Sequence, residues 1–186
     1  MLSLEKDLKN LRKNKELSDI IRPIIRDEHF KELKIMRHHI FFNRYEHLIN
    51  ASTIAYKLAK IFKADVETCV LAAILHDFSF TRCIKHGSVA SKNSEKFNIS
   101  PEVKSIIDSH MYPLMARKIK RPKGKNFWVV TMADKFAATY EYFYAISHLN
   151  FNYKKIKMKK TKNILNTLEE KIPLFRYIDE KIHHKK

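Results

Sequence analysis

Five residues of the kinds that bind metal ions fall on predicted helix faces that should be apolar: His47, His76, Asp77, His110 and Asp134. A buried, ionised carboxylate is costly unless a partner neutralises its charge. Carboxylate and neutral imidazole together suit iron, manganese, zinc or nickel. A single histidine on an apolar face is more often a hydrogen-bonded core residue. The coincidence of several such residues on separate helices instead favours a divalent metal site.

The elements that carry the first three of these residues show helical spacing. Residues 46–62 and 65–77 repeat apolar side chains at steps of three and four, which is typical of amphipathic helices with one face in the core. Neighbouring side chains on a helix diverge by about 100°, so His76 and Asp77 can hold one ion together only where the helix ends. We expect that end at residues 78–80, which follow directly.

Two further helices are predicted to carry the remaining pair. Ser100 and Pro101 form a strong helix start, with serine as the N-cap and proline in the first turn. The apolar positions that follow this start end at His110. Residues 127–141 repeat the helical spacing, and Asp134 lies in the middle of their apolar stripe. Each of these helices therefore delivers one polar ligand to the core.

The whole chain, residues 1–186, is predicted to form a single all-α domain. Residues 1–35 are expected to form a charged N-terminal helical extension, interrupted at Pro23. Residues 36–149 form the predicted core, and residues 150–186 form a basic C-terminal helical extension. A chain of this length can bury a substantial core.

Composition argues against several classes of protein. The two glycines, Gly87 and Gly124, are too few for the glycine-lined phosphate loops of P-loop and dinucleotide-binding folds. The two cysteines, Cys69 and Cys83, lack a metal-binding or redox spacing and are expected to be reduced thiols. Residues 1–14 lack the apolar segment of a secretory signal, and no later stretch reaches transmembrane length. These features predict a cytoplasmic protein.

The formal net charge of +17 has two interpretations. Excess lysine attracts polyanions such as nucleic acids, but a lysine-rich chain is also typical of an AT-rich genome, with most of the charge on a solvated surface. Residues 154–162 are densely basic, yet Tyr153 is their one nearby aromatic, so the stacking platform of a nucleic-acid binder is largely missing. A small anionic substrate is the favoured partner, and nucleic acid is the less favoured alternative.

Taken in order, these residues resemble the HD-domain metal-dependent phosphohydrolase superfamily, in particular its small stand-alone bacterial members. The resemblance covers roughly residues 40–145. Its motif elements are Arg44-Tyr45-Glu46-His47, Ala72-Ala73-Ile74-Leu75-His76-Asp77, His86-Gly87-Ser88, Asp108-Ser109-His110 and Met132-Ala133-Asp134-Lys135. It implies a single HD-domain helical core of about five or more helices around the metal site.

The resemblance also implies a ligand set. The ligands shared across the superfamily correspond to His47, His76, Asp77 and Asp134. Members with two metals commonly add histidines at the positions of His86 and His110, with Asp77 bridging, and a dinuclear centre is the favoured interpretation. One or two divalent ions per chain are expected, with iron, manganese, nickel or zinc as the metal and magnesium as a further option.

The implied activity is hydrolysis of a phosphate ester or anhydride in a nucleotide-like or other small phosphorylated substrate, by metal-activated water, in enzyme class 3.1 or 3.6. Asp77 is the predicted catalytic residue, since it would orient the nucleophile. The residues predicted to bind substrate phosphate are Lys135, Arg44, Arg82 and Lys85.

Two other functions fit parts of the pattern. A minority of HD proteins use a di-iron pair with the same ligands to activate oxygen, and a structural metal centre in a nucleic-acid or anionic-partner binding module is the other alternative. Relatives that act on cyclic dinucleotides commonly carry Ile-Gly-Lys after the His-Asp pair, whereas residues 78–80 here are Phe-Ser-Phe, so that substrate is not expected. The histidines predicted to lie outside the centre are His29, His38, His39, His148, His183 and His184.

Overall fold

The computed structural model describes residues 14–38, 42–81, 86–112 and 123–158, with side chains described as far as Ser147. These residues form seven α-helices and two short 3₁₀ turns, and their only β-type pairing is an isolated bridge between Arg37 and Asn43. The predicted all-α fold is confirmed. The helices are α1 (Lys15–Arg26), α2 (Glu28–Glu32), α3 (Arg44–Phe62), α4 (Val66–Leu75), α5 (His86–Ser94), α6 (Pro101–Ser109) and α7 (Lys125–Met158).

Contacts within the chain divide it into two units, residues 1–143 and residues 144–186. The metal-ligand candidates all lie in the first unit. The predicted single domain over the whole chain stays a prediction, and the predicted extension beyond residue 158 lies outside the described residues. Among the described helices, none is long and apolar enough to cross a membrane.

Helix α4 is the centre of the first unit. Six of its ten residues are buried, on several sides of the helix, and α3, α6 and α1 pack against it. A helix that is apolar nearly all round is stable only when surrounded by other elements. Asp65 fixes its start by accepting a hydrogen bond from the Thr68 N–H at 2.7 Å. The helix ends at Leu75, before the end predicted at residues 78–80, so His76 and Asp77 follow the helix directly instead of lying in its last turn.

Helix α3 begins with a capping box. The Asn43 side chain accepts from the Glu46 N–H at 2.9 Å, and the Glu46 carboxylate accepts from the Asn43 N–H at 3.1 Å. The helix ends at Phe62, and the next residue, Lys63, adopts a left-handed conformation with φ of 51°. Phe62, predicted to lie on the apolar stripe, is the last residue of the helix and is 47% exposed, whereas Ala59 in the same turn is fully buried. The fixed start sets the rotation of the helix and so directs His47 inward.

Two predictions about helix boundaries have opposite outcomes. The predicted start of α6 is confirmed, with Ser100 accepting from the Val103 N–H at 3.2 Å and proline in the first turn. The predicted interruption at Pro23 is wrong, since α1 runs through it from Lys15 to Arg26. The ring of Pro23 lies on the exposed face, so the helix loses one backbone hydrogen bond without a clash in the core.

Candidate metal centre

The structure brings together all six predicted ligand residues. His47 comes from α3 and Asp134 from α7, whereas His76 and Asp77 directly follow α4. His86 is the first residue of α5, and His110 directly follows α6. Every one of them is buried except His86, whose side chain is 14% exposed. Helices distant in sequence therefore converge on one polar site inside an apolar core.

The first group of ligand atoms surrounds the inner oxygen of Asp134. His47 Nε2 lies 3.1 Å from Asp134 Oδ1, and His76 Nε2 lies 3.6 Å from the same oxygen. The ligand atoms of these three residues lie within 4.8 Å of one another. They form a compact set that a single ion can bridge.

The second group surrounds Asp77. Asp77 Oδ1 lies 3.2 Å from His86 Nε2 and 3.6 Å from His110 Nε2, and the two histidine nitrogens are 3.0 Å apart. His76 links the two groups, because its ligand atom also lies within 4.8 Å of those of Asp77 and His110. Asp77 Oδ1 is buried yet makes no hydrogen bond to any described residue.

Backbone carbonyls fix the orientation of two of the imidazoles. His76 Nδ1 lies 2.8 Å from the Ala73 carbonyl oxygen, and His110 Nδ1 lies 2.7 Å from that of Ile107. A carbonyl oxygen only accepts, so Nδ1–H is the donor and the Nε2 atom of the neutral ring carries a lone pair. These lone pairs face carboxylate oxygens at 3.6 Å. Two acceptors that face each other in a buried site are stabilised by a positive charge between them, which a metal ion or a shared proton can supply.

The spacing of the donor atoms fits a transition-metal ion. Ligand atoms about 2.0–2.2 Å from an ion, at tetrahedral or octahedral angles, lie about 2.8–3.6 Å apart. The separations in both groups, 3.0 to 3.6 Å, agree with that range. The donors are imidazole nitrogen and carboxylate oxygen, the set preferred by iron, manganese, nickel and zinc.

The surroundings of His47 and His110 shift the pKa values of these two histidines in opposite directions. Burial disfavours charge on His47, but its hydrogen bonds to Asp134 and Glu141 dominate and raise its pKa to about 9. Burial and the neighbouring His76 charge lower the pKa of His110 to about 4, which keeps that ring neutral. Burial works to raise the pKa of Asp77, but its electrostatic interactions with His76, His110 and Arg44 prevail and hold it below its usual range. Asp77 is therefore ionised at neutral pH and His110 is ready to bind a metal.

Of the four residues predicted to bind substrate phosphate, the structure describes Arg44 and Lys135, and these two make different contacts. The Arg44 guanidinium donates to the Ser79 carbonyl, to Ser79 Oγ at 3.2 Å and to the Thr81 carbonyl at 3.0 Å, and its Nε lies 3.6 Å from Asp77 Oδ2. These hydrogen bonds hold the segment that follows His76 and Asp77 in place. Lys135 donates to Asp134 Oδ2 at 2.7 Å, and its side chain is 44% exposed. Arg82 and Lys85 lie outside the described residues.

Three residues near the centre were not among the predicted ligands. His38, which the sequence placed outside the site, has its Nδ1 3.7 Å from Asp77 Oδ2 and its ring centroid 4.2 Å from that of His47. Arg37 lies beside it. Glu141, on α7, has a fully buried carboxylate 3.0 Å from His47 Nδ1. Glu141 is seven residues after Asp134 on the same helical stripe, and that spacing was the signal that could have identified it.

A cavity of about 330 Å³ opens onto the two ligand groups. Beyond His76, Asp77, His86, His110 and Asp134, its walls are formed by Arg37, His38, Arg44, Met111, Lys135 and Ala138. Imidazoles, carboxylates and three cations therefore surround one space of the size of a small molecule. Such a concave site with a few convergent polar groups is the usual setting for binding and catalysis.

Gly87 allows the close approach of α5 to the end of α6. A Cβ at this position would lie 3.1 Å from the Ile107 carbonyl oxygen, 3.2 Å from that of Asp108 and 3.4 Å from His110 Cε1. A methyl group would push α5 away and move His86 from His110. We expect Gly87→Ala to lower the free energy of unfolding by about 1–3 kcal/mol and to weaken metal binding at the second ligand group.

Chemical denaturation and metal analysis of purified protein measure both effects of Gly87→Ala. Ser88→Ala, at the exposed neighbouring position of α5, is the control and should leave stability and metal content unchanged. A Gly87→Ala protein as stable as the wild type, with the same metal content, would show that the close approach has no effect on the centre.

A model of the HD domain family matches residues 44–139 of the chain. The chain belongs to the HD domain family. HD proteins are of the metal-dependent hydrolase type and bind divalent metal ions, and the matched segment contains all six residues predicted as ligands. His38 and Glu141 lie just outside it. Neither the curated proteins nor the solved structures gave a significant match to the chain.

Proposed function

We propose that this HD protein is a phosphohydrolase that cleaves a phosphate ester or anhydride of a nucleotide-like or other small phosphorylated substrate. The observation that carries the proposal is the shared wall of one cavity. Two groups of metal-ligand atoms, joined through His76, open onto the same space, and Arg37, Arg44 and Lys135 line it beside them. Metal ions and cationic side chains around one space can together bind a phosphate group and stabilise the charge that develops on it.

The proposed ligands divide between two positions. His47, His76 and Asp134 would hold one ion, and Asp77, His86 and His110 would hold the other. A divalent ion there lowers the pKa of bound water towards neutrality and stabilises negative charge on phosphoryl oxygens. Iron, manganese, nickel and zinc all suit this mixture of imidazole and carboxylate.

The side chains of the chain itself would orient the reactants. Asp77 Oδ2 faces His38 and Arg44 rather than the second ligand group, so this oxygen can accept a hydrogen bond from the attacking water. Lys135 extends from the cavity wall with a partly exposed ammonium that can donate to a phosphoryl oxygen. Because the Arg44 guanidinium donates hydrogen bonds to the backbone carbonyls of Ser79 and Thr81, it would contribute positive charge at a fixed place in the cavity wall.

The size of the cavity supports a small substrate. A volume of about 330 Å³ lies at the lower end of the range for small-molecule sites, about 300–1,000 Å³. A single nucleotide-sized group can enter it, whereas a nucleic-acid duplex cannot. The basic surface of the protein would speed the encounter with any anionic substrate.

The direct test compares metal-free protein with protein reloaded separately with manganese, iron, nickel, zinc and magnesium. Phosphate release is measured from a generic phosphate ester, a nucleotide panel and dinucleoside polyphosphates. The expected result is hydrolysis that appears with a transition metal and disappears with a chelator. Absence of hydrolysis with every metal, combined with salt-sensitive nucleic-acid binding, would favour the binding module. Oxygen consumption by the iron-loaded protein would favour the oxygenase.

A further inference from the structure

A second carboxylate lies behind His47, on the side away from Asp134. Glu141 is on α7 and is fully buried. Its Oε2 lies 3.0 Å from His47 Nδ1, and its Oε1 accepts a hydrogen bond from Asn50 Nδ2 at 2.9 Å. A buried carboxylate is costly to retain for packing alone. Its contacts therefore indicate a role in the site.

Helical spacing places Asn50 on the same face as His47, and Glu141 on the same face as Asp134. Asn50 is one turn after His47 on α3, and Glu141 is two turns after Asp134 on α7. The facing sides of these two helices thus carry one continuous hydrogen-bonded row, Asp134 to His47 to Glu141 to Asn50. Rotation of either helix would break several of its members together.

The direction of the His47–Glu141 hydrogen bond determines which nitrogen can bind a metal. An ionised carboxylate only accepts, so His47 Nδ1 is the donor. The other nitrogen, Nε2, lies 3.1 Å from Asp134 Oδ1 and is the ligand atom of the first group. His76 and His110 use neutral backbone carbonyls for the same purpose, at Ala73 and Ile107. His47 differs from both because its acceptor is a charged side chain.

We propose that Glu141 is a positioning residue of the metal centre, which fixes the ring of His47 and strengthens it as a ligand, while Asn50 holds the Glu141 carboxylate in place. This inference rests on the metal centre in the proposed function. A carboxylate behind a ligating imidazole sets its tautomer and raises its basicity, and loss of such a group costs about 10- to 100-fold in metal affinity.

The test measures Co²⁺ affinity by competition with a coloured chelator, together with the visible absorption of the bound Co²⁺. Glu141→Leu fills the space but accepts no hydrogen bond, and we expect its affinity to fall by about 10- to 100-fold with altered cobalt absorption bands. Glu141→Gln keeps an acceptor oxygen for His47, so most of the affinity should return. Glu67→Leu, the same change at an exposed position of α4, is the matched control and should bind as the wild type does.

A second variant covers the case in which Glu141→Leu does not fold. Asn50→Ala leaves Glu141 and His47 in place but removes the group that holds the carboxylate, and its Co²⁺ affinity should fall by a smaller factor. Wild-type affinity in folded Glu141→Leu or in Asn50→Ala would overturn the inference and leave the hydrolase proposal intact. A wild-type protein whose Co²⁺ affinity depends on Glu141 but which hydrolyses no phosphate substrate would overturn the hydrolase proposal alone.

Discussion

Replacement of Asp77 by alanine is expected to lower the rate of phosphate hydrolysis by about 10³-fold or more, since loss of a single preorganised electrostatic group already costs about 10²–10³-fold. The two carboxylate oxygens of Asp77 have different neighbours. Its Oδ1 meets His86 and His110, and its Oδ2 lies 3.6 Å from Arg44 Nε. One substitution would therefore remove a metal ligand and the proposed acceptor for the nucleophile.

Metal content should fall with activity. Because Asp77 is proposed to hold the second ion together with His86 and His110, elemental analysis of Asp77→Ala should show a loss of about one ion per chain, since two histidines alone bind more weakly than three ligands do. Asp77→Asn keeps the shape of the side chain but lacks its charge, and we expect it to lose activity nearly as fully. Thermal unfolding of both variants verifies that they remain folded.

Asp19 provides the matched control for Asp77. It lies on α1, is about half exposed and pairs with Arg22 at 3.1 Å, so Asp19→Ala should keep full activity and metal content. An Asp77→Ala protein with wild-type activity would remove Asp77 from the mechanism. Loss of activity with unchanged metal content would show that Asp77 acts on the nucleophile rather than as a ligand.

Regular spacing explains why much of the centre could be predicted from the sequence. His47 and Asp134 lie inside helices whose apolar residues recur every three or four positions, so the direction of each side chain follows from its neighbours. A helix end beside the His-Asp pair was also predictable, although it was predicted at residues 78–80 and the helix stops earlier, at Leu75. Two adjacent polar residues can point into one site only where the helix stops.

The residues that were missed depend on tertiary contacts. His38 lies in an irregular segment held by backbone hydrogen bonding to Phe42 and by the bridge between Arg37 and Asn43. No periodic sequence pattern there indicates the direction of the His38 side chain. The contacts of Arg44 with Ser79 and Thr81 join residues more than thirty positions apart, which no local pattern reveals. Its predicted contact with substrate phosphate stays a prediction.

Saturating metal is expected to raise the melting temperature of the metal-free protein by about 5–10 °C. An ion that binds the folded state alone stabilises it by about 2.7 kcal/mol at one hundred times its dissociation constant. For a chain of 150–250 residues each kcal/mol corresponds to about 2–4 °C. The proposed ligands in these two groups come from α3, α7 and the ends of α4 and α6, so the unfolded chain offers no comparable site.

The size of this shift should depend on the ion and on Asp77. Manganese, nickel or zinc should produce it, whereas calcium, which prefers oxygen ligands, should produce little because most of the donors are imidazoles. A chelator should reverse the shift, and Asp77→Ala should reduce it. If no transition metal raises the melting temperature, the converging imidazoles and carboxylates form a proton-bridged polar network instead. In such a network His47, whose pKa is raised by Asp134 and Glu141, would carry the proton between itself and Asp134, 3.1 Å away.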